Sequence, residues 1–234
     1  MEDTTKLNTS KLGTKKYWED FYSLEKTNFE SNPEDTGECW FSDNDAEEKM
    51  IDFLMQNLGT HSITEKSTII DLGTGNGHLL FSLYEEGFTK AKLHGVDYSH
   101  ESIKFSNKIL SEKYPEALDN ISFSQVDIFD SEWKPPRFDI VLDKGTLDAI
   151  ALSGLKLASG KTVVDAYPSV IDKLLKDNGV FLITSCNFTQ KELIKIAESC
   201  ENLKLWKTVS YPIFEFGGVK GTTICTVAFI KQKI

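Results

Sequence analysis

Polar and apolar positions follow two different rhythms along the chain. Up to about residue 60 the apolar residues recur at helical spacing. In TKKYWEDFYSLEKTNF, Tyr17, Trp18, Phe21 and Tyr22 stand at i, i+1, i+4 and i+5, which puts an aromatic face on a first helix. After the turn residues of EDTGECWF, a second helix is expected from Ser42, with Asp45 at capping distance. Met50, Ile51, Phe53, Leu54 and Leu58 continue its buried face up to Gly59.

From Ser67 onward, short β-branched runs alternate with helical stretches. STIIDLGTGNG, AKLHGVDYS, ISFSQVDIF, RFDIVLDKG and VFLITSCN read as strands. HLLFSLYEEGF, residues 99–113, residues 161–178 and TQKELIKIAESC read as helices. The helix over 161–178 is expected to stop at the Asn178-Gly179 pair, with Pro168 bending it or marking a late start. No helical stretch separates LKLWKTVSYP from TTICTVAFIKQ, so these last strands should form an antiparallel hairpin. The alternation predicts an α/β fold: a seven-stranded, mostly parallel sheet with helices on both faces. Residues 1–10 read as a mobile polar tail, 11–60 as a helical extension packed on the core, and 61–234 as the α/β domain.

Composition narrows the class. With 234 residues, 40% apolar and 26% charged, the chain can bury one large core and has the balance of a soluble globular protein. No run approaches ~18 apolar residues, which argues against a membrane partner. The start, MEDTTKLNTSK, lacks the basic and apolar regions of a secretion signal, so a cytoplasmic protein is expected, and a monomer is the expected state. Cys39, Cys186, Cys200 and Cys225 are scattered, with no histidine at ligand spacing, and read as reduced thiols without a metal. The net charge of -10 disfavours direct nucleic-acid binding. It suits a basic protein partner, or simply solubility.

Chemistry gathers where strands end, because open α/β sheets bind ligands outside the carboxyl ends of their strands. The first such place is Asp71-Leu72-Gly73-Thr74-Gly75-Asn76-Gly77. Gly73, Gly75 and Gly77 allow close backbone approach to a ligand, or simply a tight turn. A dinucleotide fingerprint has its third glycine where this chain has His78, which weakens a dehydrogenase reading. Asp71 would repel a pyrophosphate and attract an ammonium group. Asp97 ends the second strand and could accept both hydroxyls of a ribose, or cap the next helix. Tyr98 could then pack on a purine, and Asp127, read as ending the third strand, could accept an exocyclic amine. An ammonium, a ribose and an adenine together describe S-adenosylmethionine.

IIDLGTGNG, HGVDYS, QVDIF and FDIVLDKG, in this order and spacing, resemble the motifs of the Rossmann-like S-adenosylmethionine-dependent methyltransferases over residues 65–190. The resemblance implies a cofactor set of Asp71, Gly73, Gly75, Gly77, Asp97, Tyr98, Asp127, Ile128 and Trp40. LGTKKYWEDFY, DTGECWF, LDKGTLDAI, FLITSCNFT and FEFGG together look like the lysine methyltransferases of translation elongation factor 1-alpha, and this narrower likeness spans nearly the whole chain. It implies that factor as the protein substrate.

The end of the fourth strand bears on the substrate. Enzymes of the superfamily that methylate amide or base nitrogens usually carry Asn/Asp-Pro-Pro-aromatic there, whereas this chain has Asp143-Lys144-Gly145-Thr146. Asp143, Lys144 and Asp148 are the catalytic candidates: Asp143 to attract a lysine ammonium, and Asp148 either to pair with Lys144 one helical turn away or to stand as a helix-start charge. Trp18, Tyr22, Trp40 and Phe41 are candidates to lid the cofactor or the lysine stem, with plain helix packing the alternative for the first two. FEFGG is expected at the same rim. Two readings compete with this one: a methyltransferase for another protein or a small molecule, and a non-catalytic module that docks on the translation machinery.

Overall fold

The computed structural model describes residues 7–212, 214–216 and 219–232. Residues 1–6 of the expected tail, and Gly217 and Gly218 of FEFGG, lie outside the described residues. In chain order the elements are α1 (Lys15–Ser31), α2 (Ala46–Gln56), β1 (Thr68–Leu72), α3 (His78–Glu85), β2 (Lys92–Asp97), α4 (His100–Lys113), β3 (Ile121–Gln125) and β4 (Phe138–Lys144). Then come α5 (Thr146–Ser153), α6 (Val163–Leu174), β5 (Leu175–Ser185), α7 (Gln190–Ala197), β6 (Leu203–Val209), β7 (Phe214–Phe216), β8 (Val219–Gly221) and β9 (Cys225–Lys231).

Seven strands form one sheet in the order β3-β2-β1-β4-β5-β9-β6, and β7 pairs with β8 in a separate hairpin. The first five pair in parallel, while β9 is antiparallel to both β5 and β6. The expected hairpin is therefore present, with its last strand inserted beside β5. Alternate residues of each strand feed two cores. Ile69, Leu93 and Ile140 face the side covered by α1–α4, whereas Ile70, Leu72 and Val141 face the side covered by α5–α7. Strand order reverses between β1 and β4, so the crevice beyond their carboxyl ends is the topological switch point. Among the described residues, no helix is long and apolar enough to cross a membrane.

Three expectations about elements need correction. Ser42 opens only a single 3-10 turn; α2 starts at Ala46, after Asp45, which adopts φ 53 and makes no side-chain cap. Leu58 lies beyond the end of α2 and is 37% exposed, unlike the buried Met50, Ile51, Phe53 and Leu54. The helix read over 161–178 ends at Leu174, and Asn178-Gly179 sits inside β5. Asn178 holds its left-handed backbone (φ 64) because its side chain meets His61 Nδ1 at 2.7 Å and its carbonyl accepts the Ser62 hydroxyl at 3.0 Å. Pro168 lies within α6, which Thr162 and Asp165 start with a reciprocal capping box.

Candidate active site

The Gly-rich turn leaves β1 and enters α3 with Gly73, Gly75 and Gly77 all at positive φ. At Gly75 (φ 59) a Cβ would stand 2.3 Å from the Tyr22 hydroxyl oxygen, and at Gly73 it would stand 2.2 Å from Thr146 Oγ1. Both backbone conformation and space therefore demand glycine. Thr146 also donates to the Leu72 carbonyl at 2.5 Å, which fastens α5 to the end of β1.

Asp97, buried at the tip of β2, pins the turn from the other side. Its carboxylate accepts the Gly75 N–H at 3.1 Å and the Ser99 N–H at 2.8 Å, and the Ser102 hydroxyl donates to the Gly75 carbonyl at 2.7 Å. Burial pushes the Asp97 carboxyl up to about 6, against the pull of those hydrogen bonds. Burial likewise lifts Asp71 to about 7, with the Glu47 and Asp97 charges adding to the rise and Lys144 opposing it. Two buried acids poised near neutrality thus stand beside a turn in which Gly73 is exposed and Gly75 and Gly77 are buried, a cradle whose charge suits a ligand with a cationic end. Each carboxylate oxygen keeps a spare lone pair, so Asp97 can still accept hydroxyls.

The aromatic face of α1 lies over this cradle. Tyr22 is buried above Gly75, Trp18 stacks on it with ring centroids 6.0 Å apart, and Trp40 meets Trp18 edge-on at 5.5 Å. Trp40 Nε1 is buried without a partner, a donor free for a ligand acceptor. Tyr98 is half-buried with the Lys15 ammonium 5.9 Å from its ring centre. Asp127 does not end β3: it lies two residues past Gln125, exposed, and accepts the Phe129 N–H at 2.9 Å in its own turn. Ile128, half-buried, follows it.

At the end of β4 the three catalytic candidates part company. Asp143 is 0% exposed. Its carboxylate accepts the Thr146 N–H at 2.7 Å, the Leu147 N–H at 3.1 Å and the Tyr167 hydroxyl, so it caps α5 from below. Burial raises it to about 7 despite these donors. Asp148 is not paired with Lys144; its carboxylate accepts the Ser185 hydroxyl at 2.5 Å and the N–H groups of Cys186 at 2.9 Å and Asn187 at 3.3 Å, tying α5 to the end of β5. Backbone donors at a strand end outcompete an i, i+4 pair for a buried acid.

Lys144 turns to a partner that no sequence signal singled out. Its ammonium lies 2.9 Å from Glu47 of α2 and donates to the Trp40 carbonyl at 3.1 Å. Glu47 is buried and also meets His78 Nδ1 at 2.6 Å and the Ser82 hydroxyl at 2.7 Å. Against the penalty of burial, His78 and Lys144 hold the Glu47 carboxyl at about 2, while Cys39 and Glu47 push His78 up to about 10. Glu47 is one of four acids in DNDAEEK, and nothing local separates it from exposed Glu48. Phe41 adds the lip: its ring lies where a Cβ on Gly145 would come within 2.9 Å.

Asp71, the three glycines and Asp97 thus converge in one cradle, Trp40 and Lys144 join beside it, and Asp143 and Asp148 lie beneath and beyond α5. Residues 63–225 match the family described as "Methyltransferase domain". Over 99% of this chain and 100% of the relative, the sequence is 58% identical to "Protein-lysine N-methyltransferase EFM4" of Saccharomyces cerevisiae. It is 34% identical to "EEF1A lysine methyltransferase 2" of Homo sapiens, over 95% of this chain and 88% of that one. The fold resembles the crystal structure of magnesium protoporphyrin IX methyltransferase from Synechocystis with bound SAM, with a TM-score of 0.57 over 91% of this chain and 98% of that one at 14% identity.

Proposed function

The chain belongs to the protein-lysine N-methyltransferases, and from that premise we propose that it transfers methyl groups from S-adenosylmethionine to a lysine of translation elongation factor 1-alpha. The observation that carries this reading is the near full-length similarity to two proteins whose names state lysine methylation, one of which names EEF1A. Exposed Asp43, Asp45 and Glu48 flank the Trp40-Phe41 lip and would steer a basic partner toward it. In this reading residues 61–234 form the methyltransferase domain, residues 11–60 lie over its site, and the enzyme acts as a monomer in the cytoplasm.

S-adenosylmethionine supplies an already activated sulfonium methyl. The residues of the chain bind, orient and exclude water. Asp71 faces the amino-acid end, Asp97 takes the ribose hydroxyls, Tyr98 and Ile128 flank the adenine, and Asp127 accepts its amine. Trp40 Nε1 offers a further donor. Tyr22 and Trp18 close the cradle from above, which keeps the transfer dry.

Lys144 acts as a positioning residue rather than a reacting one: held by Glu47, it carries the Trp40 carbonyl and so sets the aromatic lip. Asp143 positions the first turn of α5 against the Gly73 turn. Neighbouring carboxylates attract an ammonium, and desolvation between the aromatic walls lowers the pKa of the incoming amine from its usual value of about 10.4, against the pull of those carboxylates. The test is direct. Purified protein incubated with methyl-labelled S-adenosylmethionine and elongation factor 1-alpha should place label on one lysine peptide, read by mass spectrometry. A labelled lysate in which some other protein carries the methyl, and the elongation factor none, would overturn the substrate assignment.

A further inference from the structure

The fold assembles something that sequence spacing conceals. Cys39 lies in the loop before α2, Glu47 in the first turn of α2, and His78 at the start of α3, yet one ligand atom from each comes within 4.8 Å of the others. Glu47 Oε1 is 2.6 Å from His78 Nδ1, and Cys39 Sγ is 3.7 Å from Glu47 Oε2. Thiolate, imidazole and carboxylate are the three ligand types of zinc-class sites, where three protein ligands commonly leave a fourth position for water. Among the described residues no other group of three such side chains meets this geometry.

A cation already stands at this place. The Lys144 ammonium is 2.9 Å from Glu47 Oε2 and 3.8 Å from Cys39 Sγ, so the cluster is built to hold positive charge. Glu47 is buried, while Cys39 and His78 are half-buried and reachable from solvent. The ammonium and a divalent ion both need the Glu47 carboxylate and repel each other at this range.

We propose that Cys39, Glu47 and His78 bind a divalent cation of the zinc class, and that the cation and the Lys144 ammonium occupy Glu47 in mutual exclusion. Binding replaces the protons on the Cys39 thiol and on His78 Nδ1 and releases them to solvent. It also frees Lys144 from the Trp40 carbonyl, so the lip set by that contact loosens and methyl transfer is inhibited. This last consequence rests on the function proposed above; metal binding itself does not.

Cobalt(II) titration of the full chain tests the site by absorption, since a thiolate-to-cobalt charge-transfer band reports a bound cysteine whatever the enzyme does. One equivalent should produce the band, and zinc should bleach it. Cys39→Ser should abolish the band, and His78→Ala should weaken cobalt binding, each with its thermal unfolding checked against the parent. Lys144→Met should tighten binding by roughly tenfold, because the competing charge is gone; Lys144→Gln serves if Met disturbs the fold. A band that persists in Cys39→Ser assigns the metal to another thiol and overturns the proposal. So does the absence of a band, or an affinity that ignores the charge at position 144. In the transfer assay, zinc should inhibit the parent protein and spare Cys39→Ser.

Discussion

Tyr167→Phe removes one hydroxyl and isolates what the buried acid of β4 contributes. Tyr167 and Asp143 are both almost wholly buried, and the phenol donates directly to the Asp143 carboxylate. Burial lifts the Asp143 carboxyl from its ordinary 3.8 to about 7. Because the native pKa is raised, the native state holds a proton that the unfolded chain has released, and this acid lowers stability as pH rises across that interval. The Tyr167 hydrogen bond limits the loss, and it is strongest when Asp143 is ionised. A hydrogen bond to a charged group is worth about 1.5–3 kcal/mol, against about 0.5–1.5 kcal/mol for a neutral one. For a domain of this size about 1 kcal/mol shifts Tm by roughly 2–4 °C, so the variant should lose about 4–8 °C at about pH 8 and about 2–4 °C at about pH 5.5. Thermal unfolding of parent and variant at both pH values reads this. An equal loss at the two pH values, or a larger one in acid, refutes an Asp143 that ionises near neutrality in contact with Tyr167.

The other expectations concern the cradle and the lip. Asp97→Ala removes the acceptor that pins Gly75 and Ser99, and should weaken S-adenosylmethionine binding by about tenfold or more in calorimetry, as expected for losing at least one charge-assisted hydrogen bond. Asp97 is raised to about 6 by burial, is faced by Glu19, and accepts from the Gly75 and Ser99 N–H groups; hydroxyl donors of a ribose favour its ionised form. Affinity should therefore climb as pH rises through about 6, and Asp97→Asn should flatten that profile, whereas a flat profile in the parent would refute the linkage. Gly75→Ala should destabilise by about 1–2 kcal/mol from its left-handed backbone alone, and Tyr22→Phe added to it should recover part of any further steric loss in thermal unfolding. Glu47→Gln leaves Lys144 and His78 facing no anion and should cost about 3 kcal/mol of stability, with KM for the protein substrate rising more than KM for the cofactor.

What could be read from the sequence was local. β1, β2, α3 and α4 announce themselves because hydrophobic periodicity, glycine turns and Ser99 as a cap all act within a few residues. The positions of the Gly-rich turn after β1 and of Asp97 at the end of β2 could be read for the same reason, since strand ends and turn chemistry coincide there. Asn178-Gly179 misled because it is a good helix terminator in isolation. Its actual conformation is held by His61 and Ser62, more than a hundred positions away in the chain. Leu58 misled because the hydrophobic period continues past the point where α2 stops.

The charged block after β4 shows why residue type alone does not assign a role. Aspartate, lysine and aspartate at the mouth of a buried strand look like a reactive constellation, but each charge is met by the protein itself: Asp143 by the amides of α5 and Tyr167, Asp148 by the end of β5, and Lys144 by Glu47. Charges so completely satisfied hold elements together, and the groups left over mark where a ligand belongs. Those are the Trp40 indole without an acceptor, and Asp71 and Asp97 raised by burial beside the glycine turn. In the proposed reading the cradle at the ends of β1 and β2 is therefore the part that binds. The end of β4 is built to place the aromatic lip over it, and the acid that does so comes from α2, outside the motif that drew attention first.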